Sequence, residues 1–113
     1  MPLHISDHPL VAHKMTVLRN VKTTSHEFRR TLREITFYLG YEATRILNTT
    51  EVQFETPVAS ATGAKLSDRV CIVPVLRAGL GMSDAMLDLL PKAAVHHIGN
   101  NRFKCFMYNL VVR

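Results

Sequence analysis

A chain of 113 residues, 47% hydrophobic and 20% charged, has room for one domain with one modest core. Its apolar runs fall short of the roughly 18 residues a membrane-spanning helix needs, and its start, MPLHISDHPLVAHK, lacks the basic-then-apolar layout of a secretory signal. A net charge of +5 and a pI near 9.6 suit an enzyme for anionic substrates or a nucleic-acid binder.

No block of five like charges occurs, and the aromatics do not interleave with the cations as a stacking platform requires. The expectation is therefore a soluble cytoplasmic protein with no membrane partner, and nucleic acid is not the expected ligand. Cys71 lies inside an apolar run and Cys105 far from it, which reads as two free thiols rather than a disulfide.

Asp7-His8-Pro9, followed by Leu10, Val11, Met15 and Leu18, predicts a short first helix with proline near its first position, where the missing donor is not needed. Thr24-Ser25-His26-Glu27 has the spacing of a capping box. Phe28, Leu32, Ile35 and Leu39 then recur at helical steps, predicting a second helix over 25–45. Arg29, Arg30 and Arg33 lie off that face, and Gly40 is a weak spot in the helix.

Glu51 to Thr56 alternates polar and apolar residues, as a half-exposed strand does, and Pro57 ends it. Ala59 to Gly63 reads as a hairpin or loop. Val70 to Leu76 is the continuous apolar run of a parallel strand covered on both faces. Pro74 lacks a ladder donor, so it is expected at the end of the pairing or facing an unpaired side. Ser83 to Leu90 predicts a short helix stopped by Pro91, and Ala93 to Ile98 the next parallel strand. Strand, loop, helix and strand make a βαβ unit, so the expected class is α/β, with two amino-terminal helices ahead of a mostly parallel sheet.

One feature of this unit points to chemistry. Val70-Cys71-Ile72-Val73-Pro74-Val75-Leu76 runs directly into Arg77-Ala78-Gly79-Leu80-Gly81. Open α/β sheets bind ligands beyond the carboxyl ends of their parallel strands, and Arg77 stands there. Its planar, permanently charged fork grips phosphate oxygens, glycines free backbone N–H groups, and a following helix adds a dipole that favours anions. The alternative is a surface arginine on a tight strand-to-helix connection, and these residues alone leave both open. The segment is neither a Walker loop nor G-x-G-x-x-G, which would need glycine at Asp84.

The remaining candidates are weaker. His96 and His97 are adjacent on a strand and so point to opposite faces, which argues against a shared metal. His4, His8 and His13 lack a companion ligand set, so no metal site is expected. Asp84 and Asp88 read as solvated or helix-dipole residues, and Ser83 has no base at a recognisable spacing.

Val73-Pro74-Val75-Leu76-Arg77-Ala78-Gly79-Leu80-Gly81-Met82 resembles the V-P-I-L-R-A-G-L-G-M segment of uracil phosphoribosyltransferases. Other blocks agree in order. His8-Pro9-Leu10-Val11 with His13-Lys14 and Leu18-Arg19 resembles that family's amino terminus. Phe28-Arg29, Leu32 to Ile35 and Tyr41 to Arg45 resemble its long second helix. Glu55-Thr56-Pro57 and His97-Ile98-Gly99 resemble two of its strands.

The resemblance implies part of a type I phosphoribosyltransferase fold and transfer of a phosphoribosyl group from phosphoribosyl pyrophosphate (PRPP) to uracil, giving UMP and pyrophosphate. It implies that Arg77, Ala78 and Gly79 hold PRPP or its pyrophosphate. Arg102, in Gly99-Asn100-Asn101-Arg102, takes the place of the arginine in the family's G-x-Y-R segment, with Asn101 where tyrosine stands. It further implies Mg²⁺ carried by PRPP as cofactor, GTP as an activator in the family, and a homo-oligomer when complete.

After Gly99 the chain departs from the family, and Phe103 to Arg113, FKCFMYNLVVR, matches no expected segment. The family's PRPP motif needs two adjacent acidic residues, and none of the nine acidic residues here are neighbours. Residues 1–113 are accordingly expected to form a single truncated domain, family-like over 1–99 and divergent over 100–113, inactive by itself. The alternatives are a non-catalytic remnant and a phosphate- or RNA-binding module.

Overall fold

A computed structural model of the chain describes residues 3–99 and the two-residue strand at 111–112. The first helix, α1 (Pro9–Arg19), begins where the proline predicts. His8 caps it from an extended conformation, its Nδ1 accepting the Leu10 N–H at 3.2 Å. The second, α2 (Ser25–Ala43), opens on a complete capping box. Thr24 Oγ1 accepts from the Glu27 N–H at 3.3 Å and the Glu27 carboxylate accepts from the Thr24 N–H at 3.1 Å. A single 3₁₀ turn, Thr44–Ile46, finishes it.

The buried face of α2 is rotated from the expected one. Thr31, Ile35, Thr36 and Gly40 are buried, whereas Phe28 and Leu39 are exposed. The third helix, α3 (Leu80–Leu89), decides this by crossing α2 at Gly40. A Cβ at Gly40 would stand 2.5 Å from Met86 Sδ and 3.1 Å from Leu89 Cδ2. Gly40 is thus the point of helix contact, not merely a weak spot. The helices are also tied by the ion pairs Lys14–Glu34, between α1 and α2, and Arg33–Asp88, between α2 and α3.

Strands β1 (Thr49–Glu55) and β2 (Ser60–Leu66) form an antiparallel hairpin with register Thr49↔Leu66 through Glu55↔Ser60. Ala59 to Gly63, expected as a hairpin or loop, is for the most part strand instead, since β2 takes in Ser60 to Gly63 and runs on to Leu66 through a small-residue stretch with weak strand propensity. Gly63 allows this, because a Cβ there would meet Phe54 Cε1 at 2.7 Å. Most of the hairpin is exposed, with Val52 the half-buried residue of β1.

The apolar run 70–76 forms β3 (Val70–Ile72) and β4 (Val75–Leu76), and 94–99 forms β5 (Ala94–Val95) and β6 (Ile98–Gly99). The pairs Cys71↔Ala94, Ile72↔Val95, Val75↔Ile98 and Leu76↔Gly99 are parallel and keep one register, so these are two strands, each interrupted once. Pro74 makes the interruption. Its carbonyl accepts the Ile98 N–H at 3.2 Å, as the Ile72 carbonyl accepts the His96 N–H at 3.0 Å. The register puts the donor that proline lacks toward the His96 carbonyl, and the ladder opens there. Pro74 therefore faces the paired side in mid-strand, contrary to the expectation that it would sit at an end or an unpaired edge.

Strand β7 (Val111–Val112) pairs antiparallel with β3. The class is α/β, with β3–β4, α3 and β5–β6 forming the βαβ unit. Helix α3 starts at Leu80, three residues ahead of the expected Ser83. Among the described residues the buried apolar core consists of Val11, Ile35, Ile72 and Ala85, and the run 70–76 is the most buried strand segment. No helix among them is long and apolar enough to cross a membrane.

Candidate functional site at the β4–α3 loop

Three residues, Arg77-Ala78-Gly79, join β4 to α3. Arg77 and Ala78 are exposed and Gly79 is buried. The Gly79 N–H donates to the Val75 carbonyl at 2.8 Å and the Leu80 N–H to the Arg77 carbonyl at 3.1 Å, so the chain folds back tightly on the strand it leaves. The Gly79 carbonyl then accepts the first amides of α3, from Met82 at 3.2 Å and Ser83 at 3.0 Å. The Leu76–Arg77 peptide bond is cis.

Glycine is needed at 79 for space rather than for an unusual backbone. No glycine among the described residues has a positive φ, and Gly79 itself has φ −72° and ψ −12°. A Cβ there would lie 2.9 Å from the Val75 nitrogen and 3.0 Å from both the Val75 oxygen and Pro74 Cβ. Because the Gly79 amide is consumed internally, it braces the loop. The amides of Arg77, Ala78 and Gly81 have no hydrogen-bond acceptor among the described residues.

The electrostatics are one-sided. Arg77 has neither an ion pair nor a hydrogen-bond partner among the described residues, whereas Arg30 pairs with Glu34 and Arg33 with Asp88. The first turn of α3 contains no acidic residue. A bare guanidinium beside the positive end of a helix dipole repels that dipole and attracts anions.

Behind the loop is a cleft of about 190 Å³ between α2, β3–β4 and α3. Pro74 and Gly79 belong to its wall, with Met82 and Met86 opposite. It is an apolar space. Its hydroxyls, Thr36 and Ser83, donate to the Leu32 carbonyl at 2.7 Å and the Leu80 carbonyl at 2.9 Å of their own helices. Charge gathers on the loop and not in the cleft, so the loop is where an anion would bind.

The other sequence candidates do not join this site. Ser83 is buried and satisfied by its own helix. Asp88, read as a solvated or dipole residue, sits in the last turn of α3 and pairs with Arg33. Asp84, His96 and His97 are exposed. No three histidine, cysteine, aspartate or glutamate side chains converge among the described residues. Arg102 lies outside the described residues.

Sequence reasoning missed two features. One is the role of Pro74 and Gly40 in shaping the cleft, for which the only local signal was a helix-breaking glycine at 40. The other is the tether from residues 3–8 to the end of α2, where Ser6 Oγ donates to Glu42 Oε1 at 2.8 Å and His4 Nε2 contacts Glu42 Oε2 at 3.3 Å.

The family model for uracil phosphoribosyltransferase matches residues 5–106. The chain belongs to the uracil phosphoribosyltransferase family. It is 50% identical over 100 residues to the uracil phosphoribosyltransferase of Thermosipho melanesiensis, covering 88% of this chain and 48% of that protein. With the one from Streptomyces coelicolor it shares 54% identity over 100 residues, covering 88% and 47%. It superposes on the structure of the AQ2163 protein from Aquifex aeolicus with a TM-score of 0.79 and 29% identity, covering 98% of this chain and 56% of that one. The partial phosphoribosyltransferase fold expected from the sequence is consistent with this likeness. The chain spans about half the length of the curated relatives it matches.

Proposed function

We propose that this chain supplies the pyrophosphate-holding part of a phosphoribosyl-transfer site, one that moves the phosphoribosyl group of PRPP to uracil and releases UMP and pyrophosphate. The observation that carries the reading is Arg77, uncompensated among the described residues and placed at a strand end before the amino terminus of α3. Breaking the bond between the ribose and the diphosphate builds negative charge on the leaving group. Donors already fixed toward that charge stabilise it without reorganising.

In this role the Arg77 guanidinium takes two diphosphate oxygens, and the amides of Ala78 and Gly81 lie within the same turn to take others. Gly79 keeps Arg77 in place by holding the loop against Val75. Mg²⁺ enters with PRPP as part of the substrate, since the loop 77–81 carries no carboxylate to hold it. Arg102 is the second candidate contact to PRPP.

The chain as it stands is a partial site. It has no adjacent pair of acidic residues, the feature expected to anchor the 5′-phosphate region. Simultaneous positioning of both reactants is worth about 7–11 kcal/mol of barrier, so this chain alone should form no detectable UMP. Titration calorimetry with pyrophosphate tests the half-site, with weak binding expected for the wild type and none for Arg77→Ala. Equal binding by both would make Arg77 a surface cation, and brisk UMP synthesis by the isolated chain would refute the partial-site reading.

A further inference from the structure

Three half-buried residues of α2, Glu34, Tyr38 and Glu42, recur at four-residue steps and form one stripe of that helix. The amino-terminal segment lies along this stripe in the opposite direction. Lys14 of α1 pairs with Glu34, and the His8 ring stacks on the Tyr38 ring with centroids 6.5 Å apart and planes inclined by 11°. His4 and Ser6 then meet Glu42. Two members of this row are exposed histidines, the side chains that change charge between about pH 5 and pH 8. Their hydrogen bonds ask for different protonation states. His8 Nδ1 accepts the Leu10 N–H at 3.2 Å, which requires a neutral ring with no proton on Nδ1. His4 Nε2 stands 3.3 Å from Glu42 Oε2, where the carboxylate accepts and a charged imidazolium is the stronger donor.

We infer that residues 3–8 form a pH-responsive strap with two anchors of opposite preference: the neutral segment is fixed by the His8 cap on α1, the protonated one by His4 on Glu42. A proton on His8 Nδ1 turns the acceptor into a donor that faces the Leu10 N–H. It also sets a positive charge at the positive end of the α1 dipole. The cap is then lost, and the first turn of α1, which contains the buried Val11, loosens. The same acid adds an ionic contact at the other end of the strap. The Glu42 carboxyl is held below its usual range, first by Ser6 and then by His4 and His8, so it stays ionised while the histidines gain their protons. The other titratable groups around them are Tyr38 from α2 and Asp7 from the strap itself, while Lys14 of α1 is taken up by Glu34. Attraction between Glu42 and a charged His8 offsets part of the dipole penalty but restores no acceptor to Nδ1. The inference is independent of whether Arg77 binds pyrophosphate.

The test is nuclear magnetic resonance of the 113-residue chain at about pH 7.5 and about pH 5.5, either side of the histidine charge change. Solvent exchange of the Leu10 amide, divided by its intrinsic rate at each pH, reads the cap. The heteronuclear Overhauser effect of Ile5 and Ser6 reads the order of the strap. As pH falls, Leu10 protection should drop about fivefold, the scale of a lost helix cap, while the Overhauser effect at Ile5 and Ser6 rises. His8→Asn supplies a capping oxygen that does not titrate, so Leu10 should keep its protection at both pH values. His4→Gln keeps a donor for Glu42 without a charge, and should remove the rise at Ile5 and Ser6 but leave the drop at Leu10. Constant Leu10 protection in the wild type, or a drop that survives His8→Asn, would overturn the inference. So would a rise that survives His4→Gln, or acid loosening of both ends together.

Discussion

The Gly79 amide donates to the Val75 carbonyl at 2.8 Å, closing a turn that holds Arg77 between them at the strand end. The bond needs the two backbones closer together than a side chain allows. A methyl group at 79 would press on the Val75 nitrogen at 2.9 Å and oxygen at 3.0 Å, and backbone held in a ladder cannot retreat as a side chain can. Gly79→Ala should therefore cost about 1–3 kcal/mol in urea unfolding, the usual range for overpacking. It should also weaken pyrophosphate binding by displacing Arg77. Unchanged stability and affinity would mean that the loop is not braced in this way.

Arg77 itself should behave in the opposite sense. With no acidic partner among the described residues and a helix amino terminus close behind, its charge opposes the fold. Arg77→Ala should leave the chain as stable or up to about 0.5 kcal/mol more stable, most visibly at low salt. Anion binding should be lost in the same protein. Thermal melts at two ionic strengths, beside calorimetry, read both quantities. A marked loss of stability would show that Arg77 has a structural partner.

Gly40 presents a softer contact. Its nearest neighbours are the ends of the Met86 and Leu89 side chains, and Met86 borders a cleft of about 190 Å³ into which it can turn. Gly40→Ala gains roughly 1 kcal/mol of helix propensity and loses a similar amount in repacking, so its stability should stay within about 1 kcal/mol of wild type. Gly40→Leu has no such relief and should cost more than about 2 kcal/mol by forcing α2 and α3 apart. Denaturant midpoints of the two variants make the comparison.

Three glutamates predict the response to acid. The hydrogen bond from Lys14, reinforced by Arg30, holds the Glu34 carboxyl below its usual range. The Thr24 backbone amide does the same for Glu27, and Ser6, with His4, for Glu42. A group whose pKa is lower folded than unfolded stabilises the fold above the unfolded value, and that stability drains away as pH falls through the folded value. The chain should thus lose stability as pH drops below the ordinary glutamate range. Glu34→Gln, which breaks the link between α1 and α2, should flatten part of that slope in urea titrations across acidic pH.

Loss of the α2 cap offers a simple calibration of these effects. Thr24→Ala removes the oxygen that receives the Glu27 N–H and should cost about 1 kcal/mol. Thr24→Ser should restore most of it. A Thr24→Ala chain of unaltered midpoint would mean that α2 gains little from its first turn.

What the sequence determined by itself was local, or carried in blocks of resemblance. Pro9 and the Thr24–Glu27 box start the helices where they were expected, because caps act within one turn of the chain. The apolar run ending in Arg77 located the candidate anion site, and the ordered blocks from His8 to Gly99 identified the family.

Only the tertiary structure decided what depends on a partner distant in sequence. The buried face of α2 turned to meet Met86, because Gly40 admits a helix whose position no local periodicity encodes. Ser60 to Leu66 became a strand through its register with β1, Gly63 lying where the Phe54 ring needs room. Pro74 opened the ladder in mid-strand because its neighbour was fixed by residues 94–99 and not by its own surroundings. A one-dimensional pattern records propensity and spacing, whereas which surfaces meet is set by packing between segments far apart along the chain.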